Sequence, residues 1–157
     1  MKGSPEVITA LNGLLQGELA AINQYFLHAS LCKKWGYLRL YKKIYDESLE
    51  EMKHAEQLID RILFLGGMPT VNESIKIAIG KNVKGMLEND LNLEREGLPE
   101  LKKGVRLCLE QTDTGTRELL EHILVSAEEH IQWLESQTFL LEQVGYENYC
   151  AQHIQPE

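Results

Sequence analysis

The sequence predicts an all-α protein: a four-helix bundle with one long crossover connection and a short fifth helix near the C-terminus. Three observations support this fold class. Apolar residues recur at intervals of three and four through four long stretches of the 157-residue chain, as in amphipathic helices. Glycine, proline and capping residues separate these stretches. One connection, residues 66–82, is long enough to cross a bundle from end to end.

The composition limits both the architecture and the function. The chain length suits a single domain over residues 1–157, and 43% apolar with 25% charged residues is ordinary for a globular protein. A net charge of −8 argues against a nucleic-acid surface and suits a protein that attracts cations. Cys32, Cys108 and Cys150 lie far apart, so we expect reduced thiols and a cytoplasmic location. We expect no signal peptide and no membrane-spanning segment.

Helix α1 is predicted over about residues 5–34. Ser4 is placed at the N-cap and Pro5 at the first helical position, and Gly36 ends the helix. Glu18 lies within the apolar stripe of this helix, where a carboxylate is unfavourable unless it is paired or bound to a metal. Taken alone, Glu18 is better interpreted as a borderline position that leans toward solvent.

Helix α2 is predicted over about residues 38–65 and ends at Gly66-Gly67. It contains Glu51-x-x-His54, and residues three apart on a helix share one face, so both side chains can bind one metal ion. Bundles that hold two iron or manganese ions use two such pairs plus one Glu from each of two other helices.

The same helix has three chemically different faces. Glu47 lies on the bundle-facing side together with the Glu-x-x-His pair, and Met52 lies on a second face. Glu50 and Asp46 lie on a third. A surface helix with a single packing partner does not need three faces.

Helix α3 is predicted over about residues 83–111, and it carries Glu94 as a second carboxylate within an apolar stripe. Pro99 should kink this helix or remove one backbone hydrogen bond. A short helix α5 is predicted over about residues 147–154.

Helix α4 is predicted over about residues 116–144, with His130 in its apolar stripe. A second Glu-x-x-His pair needs a carboxylate three residues before His130, but that position holds Ala127. Glu128 and Glu129 are rotated by about 100° and 200° from Ala127, so neither replaces the missing group without local unwinding.

The inward-facing polar residues together favour a metal site that lacks one ligand. Each residue alone is a weak signal, because a single histidine on an apolar face is more often a hydrogen-bonded core residue. Their order along four helices is the one expected for a di-metal bundle. The candidate ligands are Glu18, Glu51, His54, Glu94 and His130.

Segments along essentially the whole chain resemble the bacterioferritin family. The matching segments are Met1-Lys2-Gly3, residues 21–29, residues 51–55, residues 61–65, Pro69, residues 86–88, His130-Ile131-x-Trp133-Leu134-Glu135 and residues 147–149. The resemblance implies a ferritin-like four-helix bundle. It also implies a twenty-four-subunit cage (24-mer) that oxidises Fe(II) and stores the ferric product, with haem b at twofold interfaces between subunits.

The resemblance also implies roles for single residues. The dinuclear ferroxidase ligands would be Glu18, Glu51, His54, Glu94 and His130. Glu51 would bridge the two irons, and Tyr25 matches the tyrosine beside the site. The second bridging carboxylate of the family falls at Ala127, where this sequence departs from the pattern.

Met52 matches the axial haem ligand, which each of two subunits contributes. Its residue type and position alone indicate an interface or core methionine. Asp46 and Glu50 would face the cavity and act as inner-surface iron sites, and a solvated acidic edge explains them equally well.

Ala127 leads us to predict a weakened site, with lower affinity for a second iron and slower oxidation. The alternative is a haem-bearing, ferroxidase-deficient subunit that co-assembles with a ferroxidase-complete partner and receives electrons from a small ferredoxin. A plain bundle with structural glutamates is a different class of protein. A di-iron enzyme of another ferritin-like family is a further one, and the chain has no CxxC pairs to suggest an added rubredoxin-like domain.

Overall fold

The computed structural model describes residues 1–73 and 75–156, which form five α-helices and, within those ranges, no strand. The helices are α1 Pro5–Trp35, α2 Leu38–Phe64, α3 Val83–Glu110, α4 Thr114–Val144 and α5 Tyr146–Ala151. This confirms the predicted all-α fold class, a four-helix bundle with a short C-terminal helix. Ser74, within the predicted crossover, and Glu157 lie outside the described residues.

The bundle consists of two antiparallel helical hairpins. Residues 36–37 join α1 to α2, and residues 111–113 join α3 to α4. Gly36 ends α1 with a φ of 88°, a backbone conformation in which a side chain is disfavoured. Ser4 occupies the predicted N-cap position of α1, but its side chain makes no capping hydrogen bond.

The crossover follows α1 for much of its length. Asn12 donates to the carbonyl of Met68 at 3.2 Å and accepts the N–H of Thr70 at 2.7 Å. Further along α1, Nε2 of His28 accepts the N–H of Gly80 at 3.0 Å. The helix rises about 24 Å between Asn12 and His28, so the crossover carries the chain to the end of α1 where α2 also begins. Helices α2 and α3 therefore run parallel.

The α3–α4 hairpin differs from the prediction at its turn. Helix α3 continues through Pro99, whose missing N–H leaves the carbonyl of Arg95 without its usual intrahelical donor. Helix α4 begins at Thr114 rather than at about residue 116. The carboxylate of Asp113 accepts the N–H of Thr116 at 3.1 Å and thereby caps the helix earlier.

The fifth helix also differs, since it covers Tyr146–Ala151 instead of about residues 147–154. The N–H of Arg39, at the start of α2, donates to the carbonyl of His153 at 3.0 Å. This hydrogen bond holds the residues after α5 against the start of α2, and the helix ends at Ala151.

Two apolar clusters fill the two ends of the bundle. One cluster includes Tyr25, Leu87, Leu91, Ile131 and Leu134, and the other includes Leu11, Leu15, Leu58, Ile62 and Leu120. The candidate ligands lie in a polar layer at the middle of the bundle. All three cysteines are buried and free. Within the described ranges, no helix is both long enough and apolar enough to span a membrane.

Candidate metal centre

All four long helices contribute polar side chains to the middle of the bundle. Glu51, His54, Glu94 and His130 are 6%, 4%, 9% and 5% exposed, respectively. The side chain of Glu18 is 12% exposed. Carboxylates this deeply buried are costly unless something neutralises them. The fold brings the five predicted ligands together in two adjacent groups.

The first group contains Glu18 of α1 with Glu51 and His54 of α2. Nδ1 of His54 lies 3.3 Å from Oε2 of Glu51 and 3.7 Å from Oε2 of Glu18. One ligand atom from each of the three residues lies within 4.8 Å of the others. The i,i+3 spacing on α2 and the position of α1 beside it produce this convergence.

The electrostatics of this group favour a bound cation. Burial raises the pKa of Glu51 to about 8, and the Glu18 carboxylate adds to this effect. Burial alone would lower the pKa of His54, but the nearby carboxylates of Glu18 and Glu51 outweigh it and raise the pKa to about 10. The group therefore holds protons near neutral pH, and a divalent cation would displace them. Oε2 of Glu18 is buried without a hydrogen-bond partner, as expected for an oxygen that binds a cation.

The second group centres on His130 of α4 and Glu94 of α3. Nδ1 of His130 lies 3.0 Å from Oε1 of Glu94, and the hydroxyl of Tyr25 donates to the same oxygen at 2.5 Å. Burial and the surrounding carboxylates raise the pKa of Tyr25 well above its ordinary value, so the hydroxyl remains a donor. Burial would lower the pKa of His130, but the facing carboxylates outweigh it and raise the pKa.

Sequence reasoning missed Glu47 as a member of this group. Oε2 of Glu47 lies 3.6 Å from Nδ1 of His130, and ligand atoms of Glu47, Glu51 and His130 lie within 4.8 Å of one another. Its position one turn before Glu51 was a usable signal, since residues four apart share a face. No motif drew attention to it, because the Glu-x-x-His pattern is complete without it.

Ala127 is buried, at 8% exposure, and lines a cavity of about 230 Å³ together with Glu18, Glu51, His54 and Glu94. Helix α4 is continuous through this position, and Glu128 and Glu129 are both exposed. The local unwinding that would bring Glu128 inward does not occur. The side chain at position 127 thus offers no ligand atom, and no residue of the same turn replaces it.

The remaining predicted site residues lie on the surface of the bundle. Met52 is 49% exposed. The side chains of Asp46 and Glu50 are 57% and 49% exposed, and they lie 3.8 Å from Lys42 and 3.0 Å from Lys53. Both ligand groups found among the described residues exclude Asp46 and Glu50. Their predicted role as iron sites stays a prediction.

Helices and ligand groups of this kind define a ferritin-like protein, and residues 8–144 match the family model for the ferritin-like domain. The bacterioferritin of Mycobacterium leprae is 42% identical to this chain, in an alignment that covers 98% of this chain and 97% of the relative. The bacterioferritin of Brucella melitensis is 44% identical to it, in an alignment that covers 99% of this chain and 97% of the relative. A bacterial ferritin of Synechocystis is 43% identical and covers 98% of this chain and 99% of that relative. The chain belongs to the bacterioferritin family.

Proposed function

We propose that this chain is an iron-storage subunit that binds Fe(II) in the middle of its bundle, promotes its oxidation and passes Fe(III) into the hollow of a twenty-four-subunit cage. The observation that carries the proposal is the pair of buried ligand groups that share Glu51. Family membership supports iron as the metal. Oxygen and imidazole ligands of this type suit Fe(II).

The shared carboxylate gives the two positions different partners. One Fe(II) would be held by Glu18, Glu51 and His54, and the other by Glu51, Glu94 and His130. Glu51 is the residue able to bridge them, because it belongs to both groups of converging ligand atoms, Glu18–Glu51–His54 and Glu47–Glu51–His130. Glu94 reaches the second position through its contact with His130. Two Fe(II) ions would each give up one electron. These two electrons with two protons would reduce one dioxygen molecule to hydrogen peroxide, or one hydrogen peroxide molecule to two waters. Tyr25 orients Glu94 through its hydrogen bond.

Ala127 should weaken this activity rather than abolish it. A second bridging carboxylate would help hold two cations close together, and position 127 cannot supply one. Each position still has three protein ligands. We therefore propose lower affinity for the second iron and slower oxidation than in a chain with Glu at this position.

The test is an anaerobic Fe(II) titration followed by stopped-flow oxidation of the native protein and Ala127→Glu side by side. Binding of Fe(II) with slow oxidation in the native protein, and faster oxidation in the variant, supports the proposal. Rapid, stoichiometric oxidation of two irons per subunit by the native protein contradicts the weakening. Absence of bound iron, zinc or manganese by mass spectrometry would favour a purely structural bundle.

Haem binding is a second proposed function, and the exposure of Met52 favours it. Met52 lies on α2, where Leu49 is also exposed, and Phe26 of α1 packs against Tyr45 of α2. An apolar face with an exposed thioether fits the edge of a haem whose iron takes one methionine from each of two subunits. The haem would carry electrons from a small ferredoxin to the stored iron.

This second function allows a mixed cage, in which the chain contributes haem and a ferroxidase-complete partner subunit oxidises the iron. Haem absorbance in the pure protein that Met52→Leu abolishes supports the haem site. Normal mineralisation by the homopolymer argues against the need for a partner.

We further propose that the protein acts in the cytoplasm, since its thiols are unpaired.

A further inference from the structure

Glu47 faces the metal centre although the Glu-x-x-His pattern does not include it. It lies on α2 one turn before Glu51, and its side chain is 15% exposed. Its Oε2 approaches Nδ1 of His130 to 3.6 Å. The two residues belong to different helices, so the packing of α2 against α4 produces this contact.

The orientation of Glu47 is fixed by its other neighbours. Nζ of Lys43 binds Oε1 of Glu47 at 2.8 Å, so that Oε2 is the oxygen directed at His130. Lys43 also lies over the ring of Trp133, 4.9 Å from its centroid. Trp133 in turn stacks on His130 with ring centroids 6.1 Å apart and an interplanar angle of 23°. Lys43 and Trp133 therefore hold both Glu47 and His130 in place.

The ligand count gives Glu47 a specific task. A di-metal bundle site of this type uses four carboxylates and two imidazoles. Glu18, Glu51 and Glu94 supply three of these carboxylates here, because position 127 is alanine. Glu47 is a fourth carboxylate, and it contacts the histidine that lacks its usual i−3 partner.

We infer that Glu47 is the fourth carboxylate ligand of the metal centre and supplies, on the His130 side, the carboxylate oxygen that position 127 lacks. This inference rests on the proposed function. Because Lys43 occupies Oε1, Glu47 binds through Oε2 as a terminal ligand to one ion. It would restore the number of carboxylate ligands, and Glu51 would remain the carboxylate able to bridge, since it belongs to both ligand groups.

The test is an anaerobic Co²⁺ titration of the purified full-length protein, followed by visible absorbance, which reports metal binding without any oxidation step. The variants are Glu47→Gln, which keeps the size of the side chain, and Glu56→Gln as a control at an exposed position of the same helix. The double variant Glu47→Gln/Ala127→Glu returns a carboxylate from the opposite helix. Thermal unfolding of each metal-free variant reports whether it folds.

The native protein and Glu56→Gln should bind two Co²⁺ per subunit. Loss of outer-shell partners weakens metal binding by about 10–100-fold, so loss of a direct ligand should weaken the second Co²⁺ at least about tenfold. The first Co²⁺ should be unaffected in Glu47→Gln, and the double variant should recover the second.

Three results overturn the inference. Unchanged binding of both ions in Glu47→Gln shows that Glu47 is only an ion-pair partner of Lys43. An equal loss of both ions shows a structural role. A single Co²⁺ in the native protein shows that Glu47 does not complete the site. If the native protein binds no Co²⁺ at all, the proposed function fails as well, which separates that failure from the other three.

Discussion

The hydroxyl of Tyr25 and Nδ1 of His130 both contact Oε1 of Glu94, at 2.5 Å and 3.0 Å. One carboxylate oxygen thus joins helices α1, α3 and α4 inside the bundle. Tyr25 is fully buried, and its ring also packs edge-on against His130 with centroids 5.3 Å apart. The tyrosine therefore positions both of the residues that it contacts.

Tyr25→Phe should destabilise the metal-free protein by about 1–2 kcal/mol, because a buried carboxylate loses one of its two donors while the ring packing stays. Urea unfolding monitored by circular dichroism measures the change. Tyr149→Phe is the matched control. It also removes a tyrosine hydroxyl that makes a hydrogen bond, donated to Gln137 at 2.7 Å, but this bond lies outside the metal centre. The two variants should differ in Co²⁺ affinity, with weaker binding in Tyr25→Phe alone. Equal Co²⁺ affinities would contradict the positioning role.

Ala127→Glu should lower the stability of the metal-free protein and enlarge the stabilisation that a bound metal ion gives. In the metal-free protein, a further carboxylate in a buried acidic layer should lower the melting temperature. Saturating Zn²⁺ should raise it more in the variant than in the native protein, since tighter binding to the folded state stabilises it by mass action. Differential scanning calorimetry with and without Zn²⁺ measures both effects.

Ala127→Gln is the control for this comparison, because it fills similar space without a charge. A variant with Glu that gains no extra stabilisation from Zn²⁺ would show that position 127 does not reach the metal.

Local geometry made part of the centre predictable from the sequence. Glu51 and His54 were recognisable because an i,i+3 pair on a helix must share a face. Glu18 and Glu94 were recognisable only as members of a set, because each interrupts an apolar stripe on a helix where a di-metal bundle needs a carboxylate. Glu47 was assigned to the correct face but to no task, since its contact with His130 depends on how α2 packs against α4.

The fold was predictable to a similar extent, and the same limit applies. Amphipathic periodicity identified the four long helices, and the crossover was recognisable from its length and its glycine and proline residues. The predicted start of α4 is too late. The helix begins at Thr114 because the Asp113 carboxylate accepts the N–H of Thr116 and caps it. The path of the crossover along α1 depends on its hydrogen bonds to side chains such as His28, which accepts the N–H of Gly80, and no sequence pattern marks these bonds.

Acid should remove a contribution of Asp113 to stability. Burial would raise the pKa of this carboxyl, but hydrogen bonds from Thr116 and Arg61 outweigh burial and hold the pKa below its usual value of 3.8. Because the folded-state pKa is the lower one, the contribution is present above about pH 4 and is lost as the pH falls through the folded-state pKa. Asp113→Asn should cost about 1 kcal/mol at pH 7 and almost nothing at the lowest pH at which the protein stays folded.

Urea unfolding at a series of pH values measures this difference. Asp60→Asn is the control, since Asp60 is exposed on the helix that carries Arg61. A cost of Asp113→Asn that is the same at every pH would show that its charge is not responsible.

Gly80 in the crossover should not tolerate a side chain. A Cβ at this residue would lie 2.2 Å from the backbone nitrogen of Met86, and backbone atoms at the start of α3 cannot move cheaply. Gly80→Ala should therefore destabilise the protein by about 2 kcal/mol or more, as overpacking does. It should also weaken the bond from the Gly80 N–H to His28. Gly13→Ala should instead stabilise by about 0.5–1 kcal/mol, because that helical site has open space around it. Hydrogen exchange of the Gly80 region, compared between the two variants, separates them: faster exchange in Gly80→Ala alone is expected, and equal exchange rates would show that the crossover is not held there.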